Sequence, residues 1–277
     1  MIDLHCHILP AICDGSPDID TSLKMAKIAV NDGITIQACT PHIYPGLYNN
    51  NAINIQVALK NLQSLLDTES IALKLVMGAD VHLVPEVVDG LKSKRIPTLN
   101  DSRYFLLEPS HHVSVPRFLE QINKFIKAGY IPLITHPERL KWLSNDSYNE
   151  FIMAAKMGAW IQLTAGAIEG RFGKKAKNWA NKFLEDGVVH IIASDAHNIR
   201  NRPPVLSKAL LLAKKIVGEE EANRMVNDRA KGVLDNLPPE DIIMPSALRI
   251  GKRKNFKREK IGFSRKLWLD FFGLKIP

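Results

Sequence analysis

The chain has 277 residues, 45% of them hydrophobic and 24% charged, enough to bury a large core as one α/β barrel or two smaller domains, which excludes intrinsic disorder over most of its length. Its net charge of +8 is local, because residues 249–277 carry ten Lys or Arg against two acidic residues and leave 27 of each sign in residues 1–248. A neutral body argues against nucleic acid as a partner, since neutralising a phosphate backbone needs basic side chains spread over a folded face.

In chain order, short apolar runs stand at residues 2–4, 34–39, 73–77, 104–107, 131–135, 160–163 and 188–193. Each is continuously apolar, as strands of a parallel sheet covered on both faces are. None approaches the length needed to cross a hydrocarbon layer of about 30 Å. Between them lie amphipathic stretches, clearest where Ile55, Leu59, Leu62 and Leu66 recur on one helical face, and again at Phe118, Ile122, Phe125 and Ile126. Gly33, Gly129, Gly158 and Gly187 stand where helices should stop. Two further helices are expected near residues 205–217 and 220–234. Alternating strands and helices predict a βα barrel of about seven strands over residues 1–248, with 249–277 as a basic tail. An open, doubly wound sheet is the competing arrangement.

Nothing in the sequence resembles a charged, apolar, small-residue leader, and His5 follows Met1 so closely that the N-terminus is expected to be retained and the chain to be cytoplasmic. Cys6, Cys13 and Cys39 lack the framework spacing of a secreted domain, so no disulfide is expected.

Active sites of βα barrels gather at the C-terminal ends of strands. Here those places hold His5 and His7 after the first run, His42 after the second, and Asp80 after the third. Glu108, His136, and Asp195 with His197 follow the fourth, fifth and seventh. Only the sixth run has no such residue at its end. His-x-His on a strand puts two imidazoles on one face, and Asp14, in the loop that follows, is close enough to fold back over them. His190 inside the last strand, His82 beyond Asp80, and His111 with His112 in a loop are read as ordinary histidines.

Imidazoles mixed with carboxylates suit Mn, Fe or Zn better than Mg or Ca. Two or three ions sharing carboxylates fit the ligand number better than one, and clustered ions suit phosphate-ester hydrolysis. Arg139 and Arg202, in loops after the fifth and seventh runs, can fork onto phosphate oxygens. A thiol route needs Cys-x5-Arg, and the sixth residues after Cys6, Cys13 and Cys39 are Ile12, Ile19 and Pro45, so it is excluded. The phosphate loop of ATP-binding proteins is absent.

Asp3-Leu4-His5-Cys6-His7 with Asp14-Gly15, Thr40-Pro41-His42, Gly78-Ala79-Asp80, Leu107-Glu108, Thr135-His136-Pro137-Glu138-Arg139, and Ser194-Asp195-Ala196-His197-Asn198 with Arg202-Pro203-Pro204 form an ordered set. In that order and spacing the chain resembles the PHP (polymerase and histidinol phosphatase) metal-dependent hydrolases, in particular the bacterial tyrosine-protein phosphatases of capsule and exopolysaccharide loci. The resemblance implies a distorted seven-stranded, TIM-like βα barrel. It also implies a manganese-type cluster, with His5, His7, Asp14, His42, Asp80, Glu108, His136, Asp195 and His197 as ligands and Arg139 and Arg202 as phosphate-holding catalytic residues. Asp80 departs from the Glu that relatives carry and reaches one methylene less far.

A metal-activated hydroxide attacking phosphorus in line is the mechanism expected. The substrate expected is a phosphotyrosine protein, a membrane-associated tyrosine kinase governing polysaccharide synthesis. The basic tail would dock on that kinase or on an anionic membrane surface. Homo-oligomers stay open, as do a small phosphomonoester such as histidinol phosphate and a metal-holding regulatory protein without turnover.

Overall fold

The computed structural model describes residues 1–249; most of the tail, from residue 250 on, lies outside the described residues. Strands form at all seven apolar runs, three of them reaching one or two residues further: β1 (Ile2–Cys6), β2 (Ile36–Cys39), β4 (Lys74–Met77), β6 (Tyr104–Glu108), β7 (Ile131–Thr135), β8 (Trp160–Thr164) and β9 (Ile191–Ala193). Two short strands were not expected, β3 (His42–Ile43) and β5 (Asp80–His82). All strand pairing is parallel, in a three-stranded sheet β1-β2-β4 and a six-stranded sheet β3-β5-β6-β7-β8-β9. The α/β class is therefore as read, whereas the single seven-stranded ladder is not what forms.

The ladder divides where Pro41, which has no N–H to donate, separates β2 from β3. Gly78 and Ala79 separate β4 from β5. A Cβ at Gly78 would stand 2.8 Å from Leu99 Cδ2 and 3.0 Å from Thr40 Cγ2, so a larger residue there would have to push those side chains aside. Hydrogen bonds from Gly78 N–H to Cys39 O (3.1 Å) and from Asp80 N–H to Pro41 O (3.1 Å) span the break. At the other edge Cys6 bridges Ala196 in parallel, and Asp195 N–H donates to His5 O at 2.8 Å.

The helices are α1 (Ile19–Asn31), α2 (Ala52–Thr68), α3 (Val87–Lys92), α4 (Phe118–Lys127), α5 (Asn145–Met157), α6 (Ala165–Glu169), α7 (Gly173–Glu185), α8 (Ser207–Val217), α9 (Glu219–Val226) and α10 (Asp228–Leu234). The stripe Ile55, Leu59, Leu62 and Leu66 is the buried face of α2, whose start is fixed by a capping box between Asn51 and Asn54. Residues 220–234, expected as one helix, are two: Asn227 (φ −130°, ψ −80°) interrupts them. Among the described residues no helix is long and apolar enough to cross a membrane.

Strand alternation sorts the core into two layers. Phe105, Leu107, Ile134, Ile161 and Leu163 pack with the surrounding helices. Leu4, Tyr104, Leu106, Leu133, Trp160 and Ile191 face the other way, against Ala230, Val233 and Leu234 of α10. Period 2 puts Glu108 on the face of Tyr104 and Leu106, Gln162 on that of Trp160, and Asp195 on that of Ile191 and Ala193. The functional side chains thus rest on a filled apolar floor, at the C-terminal ends of the strands.

Candidate metal centre

His5 and His7, at the end of β1, bring their Nε2 atoms within 3.2 Å of each other. Gln162 Oε1 accepts from His5 Nδ1 at 2.9 Å, which turns the lone pair of a neutral imidazole at Nε2 into the centre. Asp80 Oδ2 lies 3.4 Å from both His5 Nε2 and His42 Nδ1 and 3.9 Å from His136 Nε2. The pairing of β3 with β5 sets Asp80 directly beside His42, so its shorter side chain still reaches three imidazoles. Glu108 Oε2 is 3.4 Å from His42 Nδ1, and its Oε1 is 3.9 Å from His136 Nε2. Asp14 Oδ1 stands 3.4 Å from the Nε2 atoms of both His42 and His197 and 3.8 Å from His7 Nδ1. Asp195 Oδ1 lies 3.5 Å from His5 Nε2 and 3.7 Å from His7 Nε2.

All nine anticipated side chains thus meet. They overlap as groups of donor atoms lying within 4.8 Å of one another: His7, Asp14, His42 and His197; His5, His7 and Asp80; His5, His136 and Asp195; His42, Asp80 and Glu108. Two of them are set by strained backbone, for His136 (φ 36°, ψ 51°) and Asp195 (φ 50°) occupy the left-handed region that non-glycine residues seldom enter. Their N–H groups are held by Gln162 O at 2.9 Å and by His5 O.

Arg139 and Arg202 converge on Asp195, Arg139 Nη1 on Oδ2 and Arg202 Nη2 on Oδ1, the latter at 2.7 Å. Two histidines read as ordinary are at the centre as well. His111 Nε2 is 3.3 Å and His82 Nδ1 3.7 Å from the two oxygens of Glu108, and His111 completes a fifth group with Glu108 and His136. Neither was legible from strand ends: loop 109–117 folds His111 back, and His82 enters through β5. His190 lies apart, buried against Trp160, and His112 is exposed. Cys13 Sγ is 3.4 Å from His7 Nδ1.

Burial of this cluster disfavours charge, yet charge is concentrated there. Desolvation opposes ionisation of Asp195, but Arg139, Arg202 and His5 hold its carboxyl well below the usual carboxylate range. Glu108 is likewise held at about 2, burial and Asp80 being outweighed by hydrogen bonds to His111 and His82. His5 is pushed up to about 9 by Asp80 and Asp195 against its own desolvation, whereas burial and Arg139 bring His136 down to about 4. The fit to cations is tested by what lacks a partner: both oxygens of Asp80 and the Nδ1 atoms of His42 and His136 are buried without a hydrogen bond. Such atoms are costly unless something coordinates them. A carboxylate whose buried oxygens lack hydrogen bonds, beside imidazoles in the same position, suits a donor set for divalent metal.

Residues 1–235 match the sequence profile of a family described as capsular polysaccharide synthesis, CpsB/CapC. The tyrosine-protein phosphatase YwqE of Bacillus subtilis is 37% identical over 238 residues, covering 85% of this chain and 92% of the relative. The tyrosine-protein phosphatase CpsB of Streptococcus agalactiae is 28% identical over 243 residues, 85% and 99% of the two chains. Among solved structures, one from work on YwqE from Bacillus subtilis and CpsB from Streptococcus pneumoniae, metal-dependent tyrosine phosphatases, superposes with a TM-score of 0.81 at 34% identity, covering 86% of this chain and 96% of that one.

Proposed function

The chain belongs to the CpsB/CapC family of capsular polysaccharide synthesis, and from that premise we propose that it is a metal-dependent protein-tyrosine phosphatase. The observation that carries the reading is the convergence of nine imidazole and carboxylate side chains with Arg139 and Arg202 at one face of the strand ends. His5, His7, Asp14, His42, Asp80, Glu108, His136, Asp195 and His197 would hold two or three ions, manganese in the first place and iron or zinc as substitutes. Bound there, such ions supply Lewis acidity toward phosphoryl oxygens and make a nucleophile of water near neutral pH.

The protein's own groups do the rest. Arg139 and Arg202 point planar, permanently charged forks into the mouth, suited to the equatorial oxygens of a phosphoryl group. Entry of a phosphate offers them oxygens in place of those of Asp195. Gln162 keeps Nε2 of His5 turned inward. The buried floor of Tyr104, Leu106 and Trp160 keeps water from the underside, which strengthens every charge interaction above it.

The same reading takes the strands as a distorted seven-stranded, TIM-like barrel of PHP type, supported by the hydrogen bonds across the β2/β3 and β4/β5 breaks and by the Cys6–Ala196 bridge. Residues 1–248 are its body and 249–277 an appended basic tail. The substrate would be a phosphotyrosine protein in the cytoplasm, a membrane-associated kinase of capsule synthesis, with no role for nucleic acid.

The test is purified protein with Mn, assayed against a phosphotyrosine peptide, histidinol phosphate and a dinucleotide, with bound metal counted. Turnover of the peptide above the others is expected, and His136→Ala should lose metal and at least about a hundredfold in activity while retaining its circular dichroism. Preference for histidinol phosphate, or bound metal with silence on all three, would overturn the tyrosine-phosphatase reading.

A further inference from the structure

We propose that Phe172 is a positioning residue of the phosphate grip, its ring being the bed on which Arg139 and Arg202 are held side by side; this rests on the phosphatase reading above. The guanidinium carbon of Arg139 lies 4.2 Å from the ring centroid and that of Arg202 5.7 Å. Both are within the distance of about 6 Å at which an aromatic face attracts a cation. Two guanidinium groups drawn to one place repel each other. Asp195 offsets this through one contact to each, but Asp195 also faces His5 and His7, and its oxygens would be shared with an ion. The ring is the neutral partner common to both arginines, and its attraction does not depend on what Asp195 binds.

The loop around the ring is built to hold it. After β8 and α6 the chain turns through Gly170 (φ +93°) and Gly173 (φ +87°), which bracket Arg171 and Phe172. A Cβ at Gly166 would meet Phe172 Cε2 at 2.8 Å and Arg171 Nε at 3.2 Å, so glycine there leaves the space that these side chains occupy. Arg171 pairs with Glu169 at 2.9 Å and donates to Asn201 O at 3.4 Å, tying this loop to the one that carries Arg202. Phe172 itself is half-buried. The sixth run, whose end supplies none of the nine acids and imidazoles, thus leads into the bed for the arginines.

The test compares the Mn-loaded full chain with Phe172→Leu, which keeps an apolar side chain of similar bulk without a π face, and Phe172→Tyr, which keeps the face. With phosphotyrosine peptide, the Leu variant should raise KM and weaken competition by inorganic phosphate by about five- to tenfold, with kcat within about twofold. Melting temperature and bound metal should not change, and Tyr should restore both constants. Unchanged KM and phosphate affinity in the Leu variant, or a loss that Tyr does not recover, would overturn the proposal. Calorimetric binding of inorganic phosphate judges the ring without turnover. Wild type that binds phosphate but is inert toward phosphotyrosine therefore sinks the enzymatic reading alone, whereas equal phosphate affinity in wild type and Leu variant sinks the role of Phe172 alone.

Discussion

His5 concentrates the electrostatic problem of the centre in one side chain. It is fully buried, yet Asp80 and Asp195, 3.4 and 3.5 Å away, lift its pKa from 6.5 to about 9. In protein stripped of metal, the fold therefore holds a proton that the unfolded chain releases near pH 6.5. The stabilisation this brings is fully present below pH 6.5 and is lost as pH rises toward 9, on the order of 3 kcal/mol over that window. Metal affinity should move the opposite way, because an ion must displace that proton. Denaturation of chelator-treated protein between pH 6.5 and 9, with His5→Gln as control, measures it, and a flat profile in the parent protein would refute it. His5 was legible in the sequence because it follows an apolar run and is paired with His7 by strand alternation. His82 and His111 were not, since what brings them to Glu108 is the path of a loop and of a three-residue strand. Phe172 was hidden for a different reason: an aromatic residue in a glycine-rich loop has no periodic partner to mark it.

Elements were readable where one physical signal dominated. Continuous apolar runs gave the strands, and the Ile55–Leu66 stripe gave α2, since burial on a fixed period leaves few alternatives. The split of β2 from β3 and of β4 from β5 depends on Pro41 and on the crowding at Gly78, which local pattern does not weigh. Likewise the break at Asn227 interrupts an amphipathic stretch that reads as one helix. The start of α8 shows a cap supplied from far away. Asp32, just beyond α1, accepts from Leu206 N–H at 2.6 Å and Ser207 N–H at 3.0 Å, and also from the Ser207 hydroxyl. Asp32→Ala would leave those donors without the carboxylate and should cost about 1–2 kcal/mol. Chemical denaturation would read that loss, with metal content unchanged; a change under about 0.3 kcal/mol would mean that water replaces the cap.

At the level of the whole chain, the charge division separates a neutral body from a basic end. Removing 249–277 should slow dephosphorylation of a membrane-associated protein substrate severalfold while sparing a small aryl phosphate, as expected if the end acts by charge attraction and not in chemistry. Parallel progress curves on the two substrates decide this, and equal losses on both would argue against docking. The alternation of strands and helices was legible, and ligand-type residues stand at the ends of six of the seven apolar runs, but β3 and β5 were not foreseen. The links between the two sheets were harder to foresee, since they are single hydrogen bonds at Cys39 and Pro41 and a Cys6–Ala196 bridge that no pattern of hydrophobicity encodes.

The distribution of the nine side chains from His5 to His197, over segments far apart in the chain, means that the centre has no local address. During synthesis, His5 must wait for almost two hundred further residues before its last neighbours leave the ribosome. A nascent or proteolytically shortened chain would own several good donors but not the finished cage, so metal capture would come as the closing event of folding and not as its seed.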